Sequence, residues 1–370
     1  MKQHDTQNKK SRLFYMDLAK CSAILFMILV HVFWKLGSEF EDPIGYTVNY
    51  ILGAFMAAPV FMVAMGIGFA YTRRNEPRQF IQRGVNLLII GYLLNLVRVL
   101  PVAVYNIASD GYAASATELW SEIFQGDILQ FAGLSMIFFG LLKKARLSSG
   151  GILILSCITS LSSYLIPAVM SDCIPLNATA GLFLFIDFPE ETIMCFPLFS
   201  WFIFPAFGNY FAEKLQKMKD PKRFFRIALL PCLLVAAAGS CLEMSNRVFM
   251  MKSNSEYYHM FAHDAAISLC YVVFCFALCY FICQRLSEKA NHAVAVCSDA
   301  LNLIYLIHWP IVYWIGLIFV EFCDIGFTNL LGFLTVIPVV AVSIFLGILS
   351  KQKIKKHLME EPKSVLRYIQ

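Results

Sequence analysis

Lys20 and His31 place a cation and an imidazole inside one apolar run, residues 13–36 (LFYMDLAKCSAILFMILVHVFWKL), with Asp17 one turn before the lysine. An ionisable side chain in hydrocarbon costs about 3 kcal/mol or more, so it ordinarily faces a cavity, a partner or a substrate path. The two residues are eleven positions apart. On a helix that spacing leaves them within about 25° of one another and about 16 Å apart along the axis, half of a bilayer core. One helix therefore presents a cation near one membrane face and an imidazole nearer the other. The arrangement suits an anionic ligand held at one side and proton chemistry at the other. The plain alternatives are a lysine that snorkels to the headgroups and a histidine bonded to a neighbouring helix.

The elements that would position these groups are membrane spans. Hydrophobic residues make up 59% of the 370-residue chain and charged residues only 15%, against about 25% charged in a soluble domain. The apolar residues fall in continuous runs of about 20, the length that crosses a bilayer as a helix. The expected fold is all-α, a polytopic membrane helical bundle of about ten spans: 13–36, 45–71, 85–105, 128–142, 150–170, 192–211, 227–242, 261–283, 300–319 and 330–349. Three regions follow: a cytoplasmic segment 1–12, a membrane domain 13–350 and a basic cytoplasmic tail 351–370. No cleavable signal peptide is evident in the first run.

Charge sets the orientation. Most of the 30 basic residues lie in the N-terminal segment, in alternate loops (Arg73, Arg74, Arg78 and Arg83; Lys143, Lys144 and Arg146; Lys214 to Arg226; Arg285 and Lys289) and in the tail. Opposing loops carry Glu39, Glu41, Asp42, Asp110, Glu118, Asp172, Asp187 and Glu190. The positive-inside rule then puts both termini in the cytoplasm. The net charge of +5 is explained by this topology, and no nucleic-acid partner is expected. The twelve cysteines show no metal spacing, and no metal is expected. Cys173 and Cys323 fall in outer loops, where they could pair.

With this topology Asp17 and Lys20 lie near the cytoplasmic face and His31 nearer the outer one. Arg98, Gln125, Asp127, Gln130, Glu243, His263 and Asp264 share the depth of His31 and suggest a polar vestibule opening outward. His308, in LIYLIHWPI, sits near mid-membrane, and Pro310 after it removes a backbone donor. Gly66 and Gly68 in PVFMVAMGIGF allow close helix approach. Arg73, Arg74 and Arg83 satisfy the positive-inside bias and could also meet phosphates.

The motifs together resemble those of the transmembrane acyltransferases, of both the acyltransferase-3 type and the heparan-α-glucosaminide N-acetyltransferase-like type. DLAKCSAILFMILVH matches the first-span pattern of an aspartate, a basic residue, ten residues and a histidine, with Lys20 where arginine is commoner. PVFMVAMGIGF is similar to the glycine-bearing second-span motif. GDILQFAGLSMIFFGLL and CFPLFSWFIFPAFGNYFAEKL look more like the heparan-type branch, and LIYLIHWPI is similar to the late-span motif of both. The resemblance implies transfer of an acetyl or other short acyl group to a hydroxyl or amine of a cell-envelope carbohydrate or glycolipid. The donor would be acetyl-CoA or another acyl-CoA, entering from the cytoplasm of a bacterial cell. His31 would be the general base, oriented by Asp264 or Asp127. Lys20, Arg73, Arg74 and Arg83 would hold the donor's phosphates, and Arg98, Gln130, His263 and His308 would meet the acceptor. A secondary transporter or flippase with an intramembrane polar relay is the alternative from another class. Oligomeric state is not legible.

Overall fold

The structure, a computed structural model, describes residues 12–37, 43–164, 174–184, 195–246, 257–326 and 328–360. The expected outer-loop residues Glu39, Glu41, Asp42, Asp172, Asp187 and Glu190 lie outside these, as do Cys173 and most of both termini. The described cysteines are free thiols.

The described residues form helices and no strand. In chain order these are α1 (Phe14–Leu36), α2 (Pro43–Tyr46) with a π-helical continuation (Thr47–Phe55), α3 (Ala58–Tyr71), α4 (Pro77–Asp110), α5 (Tyr112–Phe124), α6 (Ile128–Lys144) and α7 (Ser149–Ser160). There follow α8 (Ile174–Gly181), α9 (Leu198–Trp201), α10 (Ile203–Lys217), α11 (Pro221–Asn246), α12 (Ala262–Cys283), α13 (Glu288–Gly316) and α14 (Asn329–Glu360). By length and composition, six helices among the described residues can cross a membrane, or seven if α5 and α6, bent by 40° at their junction, count as one broken span. The chain is thus a multi-pass helical membrane protein. The expected span 192–211 is divided between the four-residue α9 and α10, and the described part of 150–170 is α7 with a short 3-10 turn to Tyr164.

One expected outer loop, 106–125, is helical. α4 runs 34 residues to Asp110, about 51 Å, well beyond a bilayer core of about 30 Å. Gly111, at φ +86°, stops it, and α5 follows at once. The segment YAASATELWSEIF is too polar to read as a span, yet alanine and glutamate favour helix.

α1 is the centre of the bundle. Its buried residues include Met16, Ala19, Ala23, Met27 and Ile28, the three-and-four spacing of one helical face. It packs against α13, α12, α14 and α3. Its contacts with α13 advance together along both helices. Ser298 Oγ donates to Asp17 Oδ1 at 2.7 Å, His31 meets His308, and Lys35 lies over Tyr313. The two helices therefore run parallel, and the join is clamped at its start. Arg12 reaches Asp17 at 2.6 Å and grips both carboxylate oxygens of Asp299 at 3.0 and 3.2 Å. Hydrogen bonds to the two carboxylates raise the Arg12 guanidinium above its ordinary pKa.

Glycine sets the other close crossing. A Cβ at Gly66 would lie 2.0 Å from the Pro205 carbonyl oxygen, and one at Gly208 would lie 2.1 Å from that of Val63. Those two positions bring the backbones of α3 and α10 into contact. Gly68, expected to share the role, faces open space. Gly66→Ala and Gly208→Ala should each lose about 1–3 kcal/mol of stability through overpacking against backbone. Gly68→Ala should be neutral or stabilise by about 0.5–1 kcal/mol, the helix-interior preference for alanine. Thermal unfolding of the purified protein in detergent checks the contrast; equal melting of all three variants would remove the packing role.

Candidate active site

His31 leaves α1 one turn before the helix ends and meets His308 of α13: Nδ1 of His31 is 2.9 Å from Nε2 of His308. The rings are nearly coplanar in orientation, 6° apart. The other nitrogen of His308, Nδ1, lies 3.3 Å from the Ile304 carbonyl oxygen. A carbonyl only accepts, so in the neutral pair that nitrogen carries the hydrogen. Nε2 of His308 is then an acceptor, and His31 must donate to it from Nδ1. The lone pair of the pair is left on Nε2 of His31. A backbone carbonyl thus dictates, through one imidazole, which nitrogen of the next can take a proton.

Trp309 fixes the ring from another side. It stacks on His31 with centroids 3.8 Å apart. Its own Nε1–H donates to the Tyr305 hydroxyl at 2.9 Å, and that hydroxyl donates to Asp127 Oδ2 at 3.2 Å. Arg98 joins at the same carboxylate oxygen, 3.5 Å away, and donates to Gln125 Oε1 at 2.5 Å. Its guanidinium lies over Trp309 and Tyr313, at 4.7 and 5.1 Å from the ring centroids. One turn earlier on α4, Asn95 donates to the carbonyls of Ile123 and Gln125. Asn95 and Arg98 together hold the break between α5 and α6. Asp127 itself caps α6, accepting from Ile128 N at 2.7 Å, while Gln130 Oε1 accepts from Asp127 N.

These groups border a cavity of about 120 Å³. α1 contributes Met27, Val30, His31 and Trp34. The π-helical run and the start of α3 contribute Gly53, Ala54, Ala57 and Ala58, and the helix break contributes Gln125, Asp127 and Ile128. Cys195, Phe196, Tyr257, Tyr258 and Trp309 complete the wall.

The structure sorts the residues singled out in the sequence into three places. His31 and Asp127 line the cavity, with His308 and Arg98 directly behind its wall. Asp127 orients Arg98 and Tyr305, and the group bonded to His31 is His308. Gln130 is engaged in capping α6 and does not line the cavity. His263 and Asp264 form a second place. Asp264, 1% exposed, caps α12 through Phe261 N and lies 3.4 Å from His263, which is bonded to the Tyr164 hydroxyl. Neither lines the cavity. The expected pairing of Asp264 with His31 is thus replaced by a cap and by His308. The third place holds the cations: Lys20 is 3.6 Å from Asp17, Arg73 and Arg74 are exposed just past α3, and Arg83, exposed on α4, is in electrostatic range of Arg74. None of these borders the cavity. Among the described residues, no group of three or more His, Cys, Asp and Glu side chains could hold a metal ion.

Tyr305, Trp309 and the tyrosine pair Tyr257 and Tyr258 are additions that the sequence did not single out. Trp309 adjoins His308, and that adjacency was its signal. The tyrosines have no signal in sequence, since aromatic residues abound in every span.

A family model described as an acyltransferase domain matches residues 13–350. No match to a curated protein or to a solved structure is found.

Removing one partner of a buried ion pair strands the other's charge and costs about 3–5 kcal/mol. Arg98→Met should lower stability by that order. Arg98→Met combined with Asp127→Asn should recover part of the loss, because asparagine removes the stranded charge and still caps α6. Thermal melting of the single and double variants measures the coupling; a single variant as stable as wild type would mean that the pair does not hold the helix break.

Proposed function

The chain belongs to the acyltransferase family matched across its membrane-spanning part, and from that premise we propose that it transfers an acetyl or other short acyl group from a cytoplasmic acyl-CoA to a hydroxyl or amine of a cell-envelope carbohydrate or glycolipid. The membrane proposed is the cytoplasmic membrane of a bacterium. Membership of an acyltransferase family sets the transporter reading aside.

The observation that carries the mechanism is the contact of His31 with His308, itself bonded to the Ile304 carbonyl, beside a cavity; in the neutral pair it leaves the lone pair on Nε2 of His31. His31 takes the proton of the acceptor O–H or N–H as the acceptor atom attacks the thioester carbonyl. The carbon–sulfur bond breaks, and the imidazolium returns the proton to the coenzyme sulfur. The products are the acylated acceptor and free thiol, with His31 restored. General base catalysis of this kind contributes about 10²- to 10⁴-fold in rate. His308 keeps the Nδ1–H bond throughout, so the ring does not turn when it charges. On the cytoplasmic side Lys20, Arg73, Arg74 and Arg83 supply cations for the donor's phosphates, and the pantetheine arm would carry the thioester inward. The other charged and polar residues first read as acceptor-binding divide in the same reading: Arg98 and His308 act by positioning, while Gln130 and His263 have no direct part in transfer.

Calorimetry on the purified protein tests the donor side. Wild type should bind acetyl-CoA, with affinity falling as salt rises, since exposed phosphate contacts are screened over about 8 Å at physiological ionic strength. Lys20→Ala and Arg83→Ala should weaken binding. His31→Ala should bind nearly normally while losing about 10²- to 10⁴-fold of envelope acylation. Binding of no acyl-CoA by folded wild type, or full acylation by His31→Ala, would overturn the reading.

Orientation has its own test. Cysteines introduced at Glu39 and Asp110 should react with a membrane-impermeant reagent in intact cells, and one at Lys355 should not. Labelling at Lys355 would exchange the donor and acceptor sides.

A further inference from the structure

Phe196 has a backbone φ of +63°. This left-handed region is rare for any residue but glycine and is an outlier for a bulky one. Such a conformation persists where the surroundings over-determine it, and it concentrates at functional positions. Here the surroundings are explicit. The Phe196 ring is held edge-on by Trp201 at 4.8 Å and by Tyr258 at 5.1 Å, with Tyr257 at 6.3 Å. Beyond it, Pro197 fixes the next φ, and Leu198 N and Phe199 N donate to the carbonyls of Leu182 and Phe183. The side chain is 7% exposed, and it lines the cavity that holds His31.

The rest of that cavity has little hydrogen-bonding capacity to offer a ligand. Gln125 and Asp127 are engaged by Arg98, Tyr305 and the start of α6. Tyr257 donates its hydroxyl to the Ala54 carbonyl, and Tyr258 is hydrogen-bonded to Cys195. What remains open is Nε2 of His31 and the indole N–H of Trp34, among Met27, Ala57, Ala58, Ile128 and Phe196. A space of that character fits a hydrocarbon group beside a base better than it fits a polyhydroxylated ring. Its size is restrictive as well: an apolar cavity of about 150 Å³ admits a benzene ring, and this one holds about 120 Å³.

We infer that Phe196 is the stop that sets acyl-chain length: the cavity receives the acyl group of the donor, and the caged phenylalanine closes it to longer chains. The inference rests on the acyl-CoA reading above and adds the residue that makes it selective. The left-handed backbone matters because it lets the aromatic ring occupy the wall while the chain turns directly into Pro197. Met27 bounds the same space from α1.

Calorimetric binding of acetyl-, butyryl- and hexanoyl-CoA to the full-length protein is the experiment. Wild type should favour acetyl-CoA over hexanoyl-CoA by tenfold or more, since one methylene too many in an apolar pocket is worth about 10-fold or more. Phe196→Ala should bring that ratio toward one. Met27→Ala should move it the same way and serves if Phe196→Ala does not fold. Wild type that binds hexanoyl-CoA as tightly as acetyl-CoA overturns the proposal. So do folded variants that keep the wild-type ratio; in both cases acetyl-CoA binding persists and the acyltransferase reading stands. Binding of no acyl-CoA at all by folded wild type removes both.

Discussion

A guanidinium with no exposed surface, inside a helical bundle built for a membrane, is the constraint around which this structure is arranged. Arg98 is 0% exposed, and an arginine does not shed its proton. Its charge must be answered where it stands. The answer comes from three other elements: Asp127 and Gln125 at the α5–α6 break, and the rings of Trp309 and Tyr313 on α13. Each responding group then has a fixed place. Asp127 in turn holds Tyr305, Tyr305 holds Trp309, and Trp309 lies against His31. A chain of contacts thus runs from one buried charge to one imidazole, and α4, α6 and α13 have little freedom to slide past one another.

The same seam explains why α1 and α13 lie side by side and parallel. Ionic and hydroxyl groups meet at its start, where the buried Asp17 is answered by the exposed Arg12 and the half-buried Ser298, and Arg12 also reaches the exposed Asp299. Imidazoles and indole meet in the middle, where neutral groups of intermediate polarity can be hydrogen-bonded without a net charge. At the far end Lys35 lies over Trp34 and Tyr313, 4.6 and 4.2 Å from the ring centroids, with Glu122 and Glu118 in electrostatic range, so aromatic faces share the cation with carboxylates. Polarity therefore changes along one helix pair in step with what each depth tolerates.

Most polar atoms near the cavity serve the protein itself. Asp127 and Gln130 close the N-terminus of α6, Asn95 secures two carbonyls at the helix break, and Tyr257 satisfies Ala54. This follows from the solvent. In a bundle without water at hand, an unbonded backbone group costs several times what it does at a surface, so side chains are drawn to helix ends and breaks. Among the groups on the cavity wall, Nε2 of His31 stands out as a base with an uncommitted lone pair.

Much was legible in the sequence where a property is local. Continuous apolar runs imply helices, and the spacing of Lys20 and His31 places them on one side of α1. Helical periodicity alone gives these. The loop reading of 106–125 failed for a local reason too: polarity hid a strong helix former. The pairing of His31 with His308 is of another kind, since 277 positions separate them. Nothing in either helix states the register between them; packing of α1 on α13 decides it. Asp127 and Asp264 make the point most sharply. Each is an acidic residue at the start of an apolar helix, and each caps that helix. Only Asp127 becomes the counter-ion of Arg98, because α4 brings the guanidinium to that helix end and not to the other. Sequence by itself determined which ionisable residues lie within apolar helices; the tertiary structure decided which of them met, because a contact between helices depends on a register that no single helix contains.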